Sequence, residues 1–359
     1  MKKIVFLTNT LEYGGATKIL VQIANYMSSE YEVIILNYGN QEIFYPIDPK
    51  VKVRFAKKTK CNIRKIRLIT QMLLIRKEIK KIKPTAILAF GNTEKLMALG
   101  STIGSKIKYI ISERQDPFSY SVNKKHTMWL RYILADGCIF QTEGAMKYFP
   151  KSVQKKSIVI PNFIQMSPQS FVSSCKKENI ISFSARFELK QKRQDVMVEA
   201  FEKFVKKFPD YKLIFYGDGL DQKYVEKIVK RKSLTDKVIF AGKTSNVLEK
   251  IKESKIFVLT SDYEGIPNVL MEAMALGIPC ISTDCSPGGA RLLIDNNKNG
   301  ILTPIANPEK ISDALEKMAS DSQFADKCAL EAMNILEKYS PEKILPVWKK
   351  YISDIIKGY

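Results

Sequence analysis

Two glutamates eight residues apart, Glu264 and Glu272, bracket a helix start in the segment Ser261-Asp262-Tyr263-Glu264-Gly265-Ile266-Pro267-Asn268-Val269-Leu270-Met271-Glu272-Ala273-Met274-Ala275-Leu276-Gly277-Ile278-Pro279. The apolar run Ile256-Phe257-Val258-Leu259 before them reads as a buried parallel strand. Pro267 suits a first helical turn, and Gly277-Ile278-Pro279 stops the helix before a second apolar strand. In an α/β sheet the loop after a strand's carboxyl end is where ligands sit, and the helix amino terminus offers N–H groups to an anion. Glu264 falls on that loop and Glu272 inside the helix. Two glutamates at this spacing also occur on solvated helices, so the residues between them carry the weight of the reading.

Other segments place chemistry at similar points. Arg186 and Lys192, in Phe183-Ser184-Ala185-Arg186-Phe187-Glu188-Leu189-Lys190-Gln191-Lys192-Arg193-Gln194-Asp195, follow a strand and open a helix; the plain alternative is a solvated basic loop. Gly14-Gly15-Ala16 lies between a strand and a helix, where backbone can approach phosphate or simply turn. Tyr216-Gly217-Asp218-Gly219 and Ala241-Gly242-Lys243-Thr244 each end a strand and read as ligand loops or as plain turns. The single histidine, His126 in Lys124-Lys125-His126, reads as a surface residue and excludes a repertoire of histidine bases or a zincin site.

The elements that must position these residues alternate along the chain. Lys3 to Leu7, Glu32 to Leu36, Ala86 to Phe90, Tyr109 to Ser112, Cys138 to Phe140 and Ile158 to Ile160 read as strands, and Ala16 to Met27 reads as a helix. Pro161-Asn162-Phe163-Ile164 and the serine-rich stretch Ser167 to Ser174 mark a linker. The pattern then restarts, with strands at Ile180 to Phe183, Lys212 to Tyr216 and Val238 to Ala241 and a helix near Asp195 to Phe208. Alternation of this kind means two parallel sheets covered by helices, an α/β protein with a cleft between two Rossmann-like halves. The expected divisions are 1–164, 165–338 and 339–359, the last an amphipathic helix starting near Pro341 with Val347, Trp348, Tyr351, Ile352 and Ile355.

At 359 residues the chain can bury two cores. The cysteines, Cys61, Cys138, Cys175, Cys280, Cys285 and Cys328, lack metal-ligand spacing and read as thiols in a reducing cytoplasm. Ile4-Val5-Phe6-Leu7 is shorter than a signal-peptide core, and no run approaches the roughly 18 apolar residues that span a bilayer. The net charge of +21 is uneven, with 28 Lys and Arg against 11 Asp and Glu in residues 1–160. Lys52 to Lys83 holds 13 basic residues and one acid, Glu78, interleaved with Ile66, Leu68, Ile69, Met72, Leu73, Leu74, Ile75 and Ile79. That pattern is a basic amphipathic helix, which either packs on a core or is drawn to anionic lipid headgroups. Basic surface alone does not separate one polyanion from another, but no zinc finger, RNP-type aromatic motif or Gly-x-x-Gly clamp favours a specific nucleic acid.

The filling between Glu264 and Glu272 closely resembles the donor-site motif of family-4 retaining glycosyltransferases of the GT-B fold. The resemblance implies transfer of a hexose or N-acetylhexosamine from a UDP-sugar, without metal, so that cations, helix dipoles and amides neutralise the departing diphosphate. Arg186 and Lys192 match the family's diphosphate-binding arginine and lysine. Glu264 then holds the transferred sugar and Glu272 the ribose hydroxyls, and Asn268, Val269 and Leu270 present amides near the diphosphate. Gly217, Gly242, Lys243 and Thr244 match the turns around the base, and Gly14 and Gly15 match the glycine loop. Family members usually carry Gly where this chain has Ala185 and Arg193. Many also carry a first-domain histidine where this chain has Ser112-Glu113-Arg114-Gln115-Asp116-Pro117, which leaves Glu113, Arg114 or Asp116 to meet the sugar or acceptor.

That last segment is similar to glycosyltransferases assembling bacterial surface polysaccharides on polyprenyl-diphosphate lipids. It implies a lipid-linked or nascent oligosaccharide acceptor and a cytoplasmic enzyme peripheral to the inner face of the plasma membrane, as in capsule or O-antigen assembly. Rival readings are a GT-B phosphorylase, a sugar-nucleotide epimerase, or a non-catalytic polyanion-binding protein on a decayed scaffold.

Overall fold

A computed structural model of the chain describes residues 1–12, 14–60, 62–120 and 125–358, with the side chains of Arg64 and 125–127 set aside. His126 and Cys61 therefore lie outside the described side chains. The chain divides into two units, Met1–Phe163 with Pro341–Tyr359, and Ile164–Ser340.

The first unit is built on β1 (Lys3–Thr8), β2 (Glu32–Asn37), β3 (Lys52–Phe55), β4 (Ala86–Ala89), β5 (Lys108–Ser112), β6 (Gly137–Phe140) and β7 (Ser157–Val159), in the order β3-β2-β1-β4-β5-β6-β7. All pairings are parallel. Continuous apolar runs such as Ile4 to Leu7 and Val33 to Leu36 are buried because helices cover both faces. Those helices include α1 (Gly15–Met27), α2 (Arg64–Ile82), α3 (Asn92–Thr102) and α4 (Lys125–Ile133). Strand β3 was not evident among the charges of the basic stretch. It is an exposed edge strand whose Lys52 pairs with Glu32 at 2.9 Å, and charge of this kind discourages pairing with another chain.

Helix α2 divides along its length. Ile75, Ile79 and Ile82 are buried in the core, whereas Ile66, Ile69 and Leu73 remain exposed. The core-packing reading of the basic helix thus holds for its second half, while its first half leaves apolar side chains on the surface.

The second unit has β8 (Glu178–Ser184), β9 (Lys212–Tyr216), β10 (Val238–Gly242), β11 (Ser254–Leu259), β12 (Cys280–Thr283) and β13 (Ile301–Thr303), in the order β10-β9-β8-β11-β12-β13 and again parallel. The carboxyl ends of β10, β9, β8 and β11 therefore lie side by side. The boundary differs slightly from the expected divisions. The Ile164 N–H donates to the Tyr339 carbonyl at 2.9 Å, and the Tyr339 hydroxyl donates to the Leu292 carbonyl at 3.1 Å, so both residues belong to the second unit. The serine-rich stretch is also part of that unit: Asp326 accepts from the Ser173 hydroxyl at 2.5 Å and from the Ser174 amide at 2.8 Å.

The terminal helix, Pro341–Lys357, joins the first unit. Trp348 is fully buried and its ring stacks on Phe90 at 6.0 Å with planes 6° apart. The Tyr351 hydroxyl accepts from the Cys138 amide at 2.9 Å and donates to the Lys156 carbonyl at 2.5 Å. Gly137 permits this approach, since a Cβ there would stand 2.2 Å from Ile355 Cδ1. Cutting the Trp348 ring away leaves a cavity under Phe90. Trp348→Ala is expected to cost about 3–5 kcal/mol of unfolding free energy, read from the chemical denaturation of the first unit.

Candidate functional site

In the second unit the loops leaving adjacent parallel strands lock onto one another. The Phe187 amide donates to the Asp218 carbonyl at 2.8 Å, and the Gly217 amide donates to the Gly242 carbonyl at 2.8 Å. Gly217 has φ +130°, and a Cβ there would meet the Ala185 carbonyl oxygen at 2.2 Å, so the β9 turn rests directly on the backbone that carries Arg186. Arg186 itself extends outward, 74% exposed, with Glu188 3.9 Å away as its acidic neighbour. On the other side of β8, the Asp262 amide donates to the Gln191 carbonyl at 2.8 Å, joining the loop after β8 to the loop after β11.

Glu264 is buried where these loops meet. Its carboxylate pairs with the Lys192 ammonium and accepts from the Ser261 hydroxyl at 2.8 Å and from the Gln191 side-chain amide at 3.4 Å. Gln191 also donates to the Tyr263 carbonyl at 3.1 Å, and the Glu264 amide donates to the Ser286 carbonyl at 2.9 Å. The structure thus brings two residues chosen from sequence into contact and adds Ser261 and Gln191. Both of these lie in the quoted motifs, but nothing in their spacing says that they converge across two strands.

Arg193 explains one departure from the resemblance. It occupies the left-handed region, φ 50° and ψ 47°, where glycine is at ease and an arginine is not. Two carboxylates hold it there, Asp195 at 3.1 Å and Asp262 at 2.8 Å. Hydrogen bonds to Asp195 first and Asp262 second raise the guanidinium pKa, partly offset by burial. The turn that glycine would make freely is thereby kept by ion pairing.

The motif helix, Asn268–Ala275, begins one residue later than expected, with Pro267 in the extended conformation before its first residue. The Leu270 amide donates to the Pro267 carbonyl at 3.1 Å, so that amide is already engaged; Asn268 and Val269 open the helix. Glu272 is half-buried on the same helix. At the β10 turn, Gly242 has φ +71°, Lys243 is exposed and the Thr244 hydroxyl accepts from the Asn246 amide at 3.2 Å.

The remaining sequence candidates lie in the first unit. Gly14 immediately precedes α1 and Gly15 is its first residue. The Tyr45 hydroxyl sits 3.2 Å from both the amide and the carbonyl oxygen of Gly14, a partner that no motif pointed to. Glu113, Arg114 and Asp116 turn their polar groups inward. Glu113 is 2% exposed, with its carboxylate on Lys95 Nζ at 2.8 Å, the Tyr132 hydroxyl and the amides of Arg114 and Gln115 at 2.9 and 3.0 Å. Asp116 caps a short helical turn by accepting from the Phe118 amide at 2.9 Å. Arg114 lies over Phe90 and Trp348, its guanidinium carbon 5.3 and 5.0 Å from the ring centres, and donates to Asn162 Oδ1 at 2.8 Å. Burial pulls its pKa down to about 9 against the opposing charge of Glu113. The loop exposes Gln115 in their place.

Residues 168–334 match the model of the glycosyl transferases group 1 family, which takes in most of the second unit, Lys192 and both motif glutamates. Over these residues, under half of its length, the chain is similar to the group 1 glycosyl transferases. This glycosyltransferase is 27% identical over 364 aligned residues to a Campylobacter jejuni enzyme, GalNAc-alpha-(1->4)-GalNAc-alpha-(1->3)-diNAcBac-PP-undecaprenol alpha-1,4-N-acetyl-D-galactosaminyltransferase, with 99% of each chain covered. It is 22% identical to the amylovoran biosynthesis glycosyltransferase AmsD of Erwinia amylovora, covering 98% of this chain and 99% of that one. Among solved structures, Anabaena HepE in complex with UDP and glucose superposes with a TM-score of 0.81 at 17% identity, over 98% of this chain and 100% of that one. The fold of the glycosyltransferase is GT-B, with two Rossmann-like parallel-sheet domains.

If ion pairs hold Arg193 in its strained turn, glycine and alanine should behave differently there. Arg193→Ala loses both partners and keeps the strain, at a cost of about 1–3 kcal/mol. Arg193→Gly should cost clearly less. Denaturant titration of the two variants measures the gap.

Proposed function

We infer that this glycosyltransferase is a retaining, metal-independent enzyme that moves a hexose or N-acetylhexosamine from a UDP-sugar to a lipid-linked or nascent polysaccharide acceptor. The observation that carries the reading is the buried Glu264 carboxylate paired with Lys192, on the strand edge that also bears Arg186 and the start of the motif helix. Arg186 is exposed and free to close on a diphosphate, and Lys192 can share its charge between that diphosphate and Glu264. The Asn268 and Val269 amides add the helix's partial positive charge. Glu264 holds the transferred sugar, Glu272 the ribose, and the turns at Gly217 and at Gly242 to Thr244 flank the base. Gly14 and Gly15 supply the first domain's phosphate loop. Attack occurs on the face from which the diphosphate leaves, and that departing group takes the acceptor proton.

The UDP assignment draws support from the HepE complex, and the acceptor from the relatives named for undecaprenol-linked and amylovoran products. In this reading the donor charge falls to the cations named above. No described helix is long and apolar enough to cross a membrane. We place the enzyme at the cytoplasmic membrane face through the basic surface of its first unit.

Replacing Glu264 or Lys192 by Ala should lower turnover by about 100-fold or more, because both stabilise charge that grows in the transition state. Near-normal rates in both would remove the assignment. A thermal-shift panel of nucleotides in EDTA should show selective stabilisation by UDP or one UDP-sugar, weakened in Glu272→Ala; tighter binding of nucleic acid than of any nucleotide would favour the non-catalytic reading instead. Anionic vesicles should retain the protein at low salt and release it at high salt, and equal binding to neutral vesicles would contradict the electrostatic attachment.

A further inference from the structure

A cavity of about 910 Å³ lies wholly within the first unit, among α2, α3, α4 and the loops after β1 and β2. Its charged lining is Lys58, Arg67 and Arg131 against one acid, Glu12. The cations are placed by the fold. Gln71, 6% exposed on α2, accepts from the Thr59 amide at 2.9 Å and donates to the Lys57 carbonyl at 3.1 Å, which fastens the segment bearing Lys58 alongside the helix bearing Arg67. Arg131 is anchored by donating to the Asn92 carbonyl at 3.0 Å, and the Tyr120 hydroxyl donates to Asn92 Oδ1 at 3.1 Å beside it. Among the described residues, the side chains of Lys58 and Arg67 make no ion pair or hydrogen bond. Two unpaired cations and a tethered third, gathered in one cavity, fit a phosphate or diphosphate rather than a neutral sugar.

The same helix carries a second chemistry. Ile66, Ile69 and Leu73 are 46%, 55% and 56% exposed, and at 3.6 residues per turn they fall within an arc of about 60°. Arg67, Leu68 and Gln71 turn the other way, into the cavity. One helix thus offers a cation to the cavity and a bare aliphatic strip just outside it, which is what a molecule with an anionic head and a hydrocarbon tail requires.

We propose that this cavity is the acceptor site, that Lys58, Arg67 and Arg131 hold a phosphate or diphosphate of the acceptor, and that Ile66, Ile69 and Leu73 take the hydrocarbon joined to it. The inference rests on the transferase reading given above and adds which group of the acceptor is recognised and by which residues. A phosphate group in the cavity sets the position of the attached sugar before donor binds.

Titration calorimetry on the full chain tests this with farnesyl diphosphate, inorganic diphosphate and farnesol, each below its aggregation concentration. Farnesyl diphosphate should bind at least ten-fold more tightly than farnesol. The double variant Lys58→Ala/Arg67→Ala should lose at least ten-fold in farnesyl diphosphate affinity, and Arg67→Glu more, with stabilisation by nucleotide unchanged as proof of an intact fold. Lys192→Ala, in the other unit, should leave farnesyl diphosphate binding unaltered. Ile66→Ser/Ile69→Ser should weaken farnesyl diphosphate by at least five-fold and spare inorganic diphosphate.

Farnesyl diphosphate binding that depends on Lys192 and not on Arg67 would overturn the proposal, as would equal affinity for farnesol. Serine variants that leave farnesyl diphosphate binding unchanged would overturn the hydrocarbon half and make the phosphate group that of a water-soluble acceptor. If those variants instead convert a dimer to a monomer by light scattering, with farnesyl diphosphate unaffected, the strip is a contact between copies. Wild-type protein that binds farnesyl diphosphate through Arg67 but responds to no nucleotide would refute the transferase reading and with it the acceptor role, while keeping the phosphate site.

Discussion

A carboxylate withdrawn from water must find cations and donors inside the protein. Glu264 finds Lys192, Ser261 and Gln191, and supplying them dictates much of the second unit. Gln191 and Lys192 leave β8 and Ser261 leaves β11, so these strands must be neighbours and must run the same way. The Thr260 hydroxyl closes the arrangement by donating to the carbonyls of Lys192 and Arg193 at 3.0 and 2.9 Å. The Arg193 turn, with its backbone strain and two carboxylate partners, is a further consequence of bringing Lys192 back to Glu264.

The elements were largely legible because buried parallel strands must be continuous apolar runs, and the breaks between them carry glycine and proline. Strand β3 escaped because an edge strand needs little burial, and Lys52 and Arg54 hid it in a charged stretch. Glu264 and Lys192 were legible through their motifs. Ser261 and Gln191 were not, since convergence across two strands leaves no periodic trace. The surroundings of the segment Glu113 to Asp116 were not legible either: charged residues on a loop after a strand suggest a ligand, and nothing nearby in the sequence shows that Lys95, entirely buried on α3, pairs with Glu113. Only a neighbour distant in sequence reveals that the carboxylate turns inward. The serine-rich stretch likewise reads as linker until Asp326, 152 residues from Ser174, is seen to bind it.

The first unit handles buried charge in a different way. Lys95 and Glu113 neutralise each other beneath the sheet edge, with burial lowering the lysine pKa and Glu113 opposing that shift. Tyr120 and Asn92 carry hydrogen bonds from this pair towards the cavity wall. The wall is therefore stiff where it meets the interior, while Lys58 and Arg67, on its outer side, keep the freedom that exposed long side chains retain.

The return of the terminal helix also bears on how the chain is made. Because Trp348 and Tyr351 complete the first unit, the second unit, Ile164–Ser340, is in effect an insertion between two parts of the first. During synthesis from the amino terminus the inserted unit has its whole sequence available before its host does. Phe90, Arg114 and the Cys138 amide must wait on the nascent chain without Trp348 and Tyr351 until the last helix emerges, so the first unit to begin translation is the last able to close.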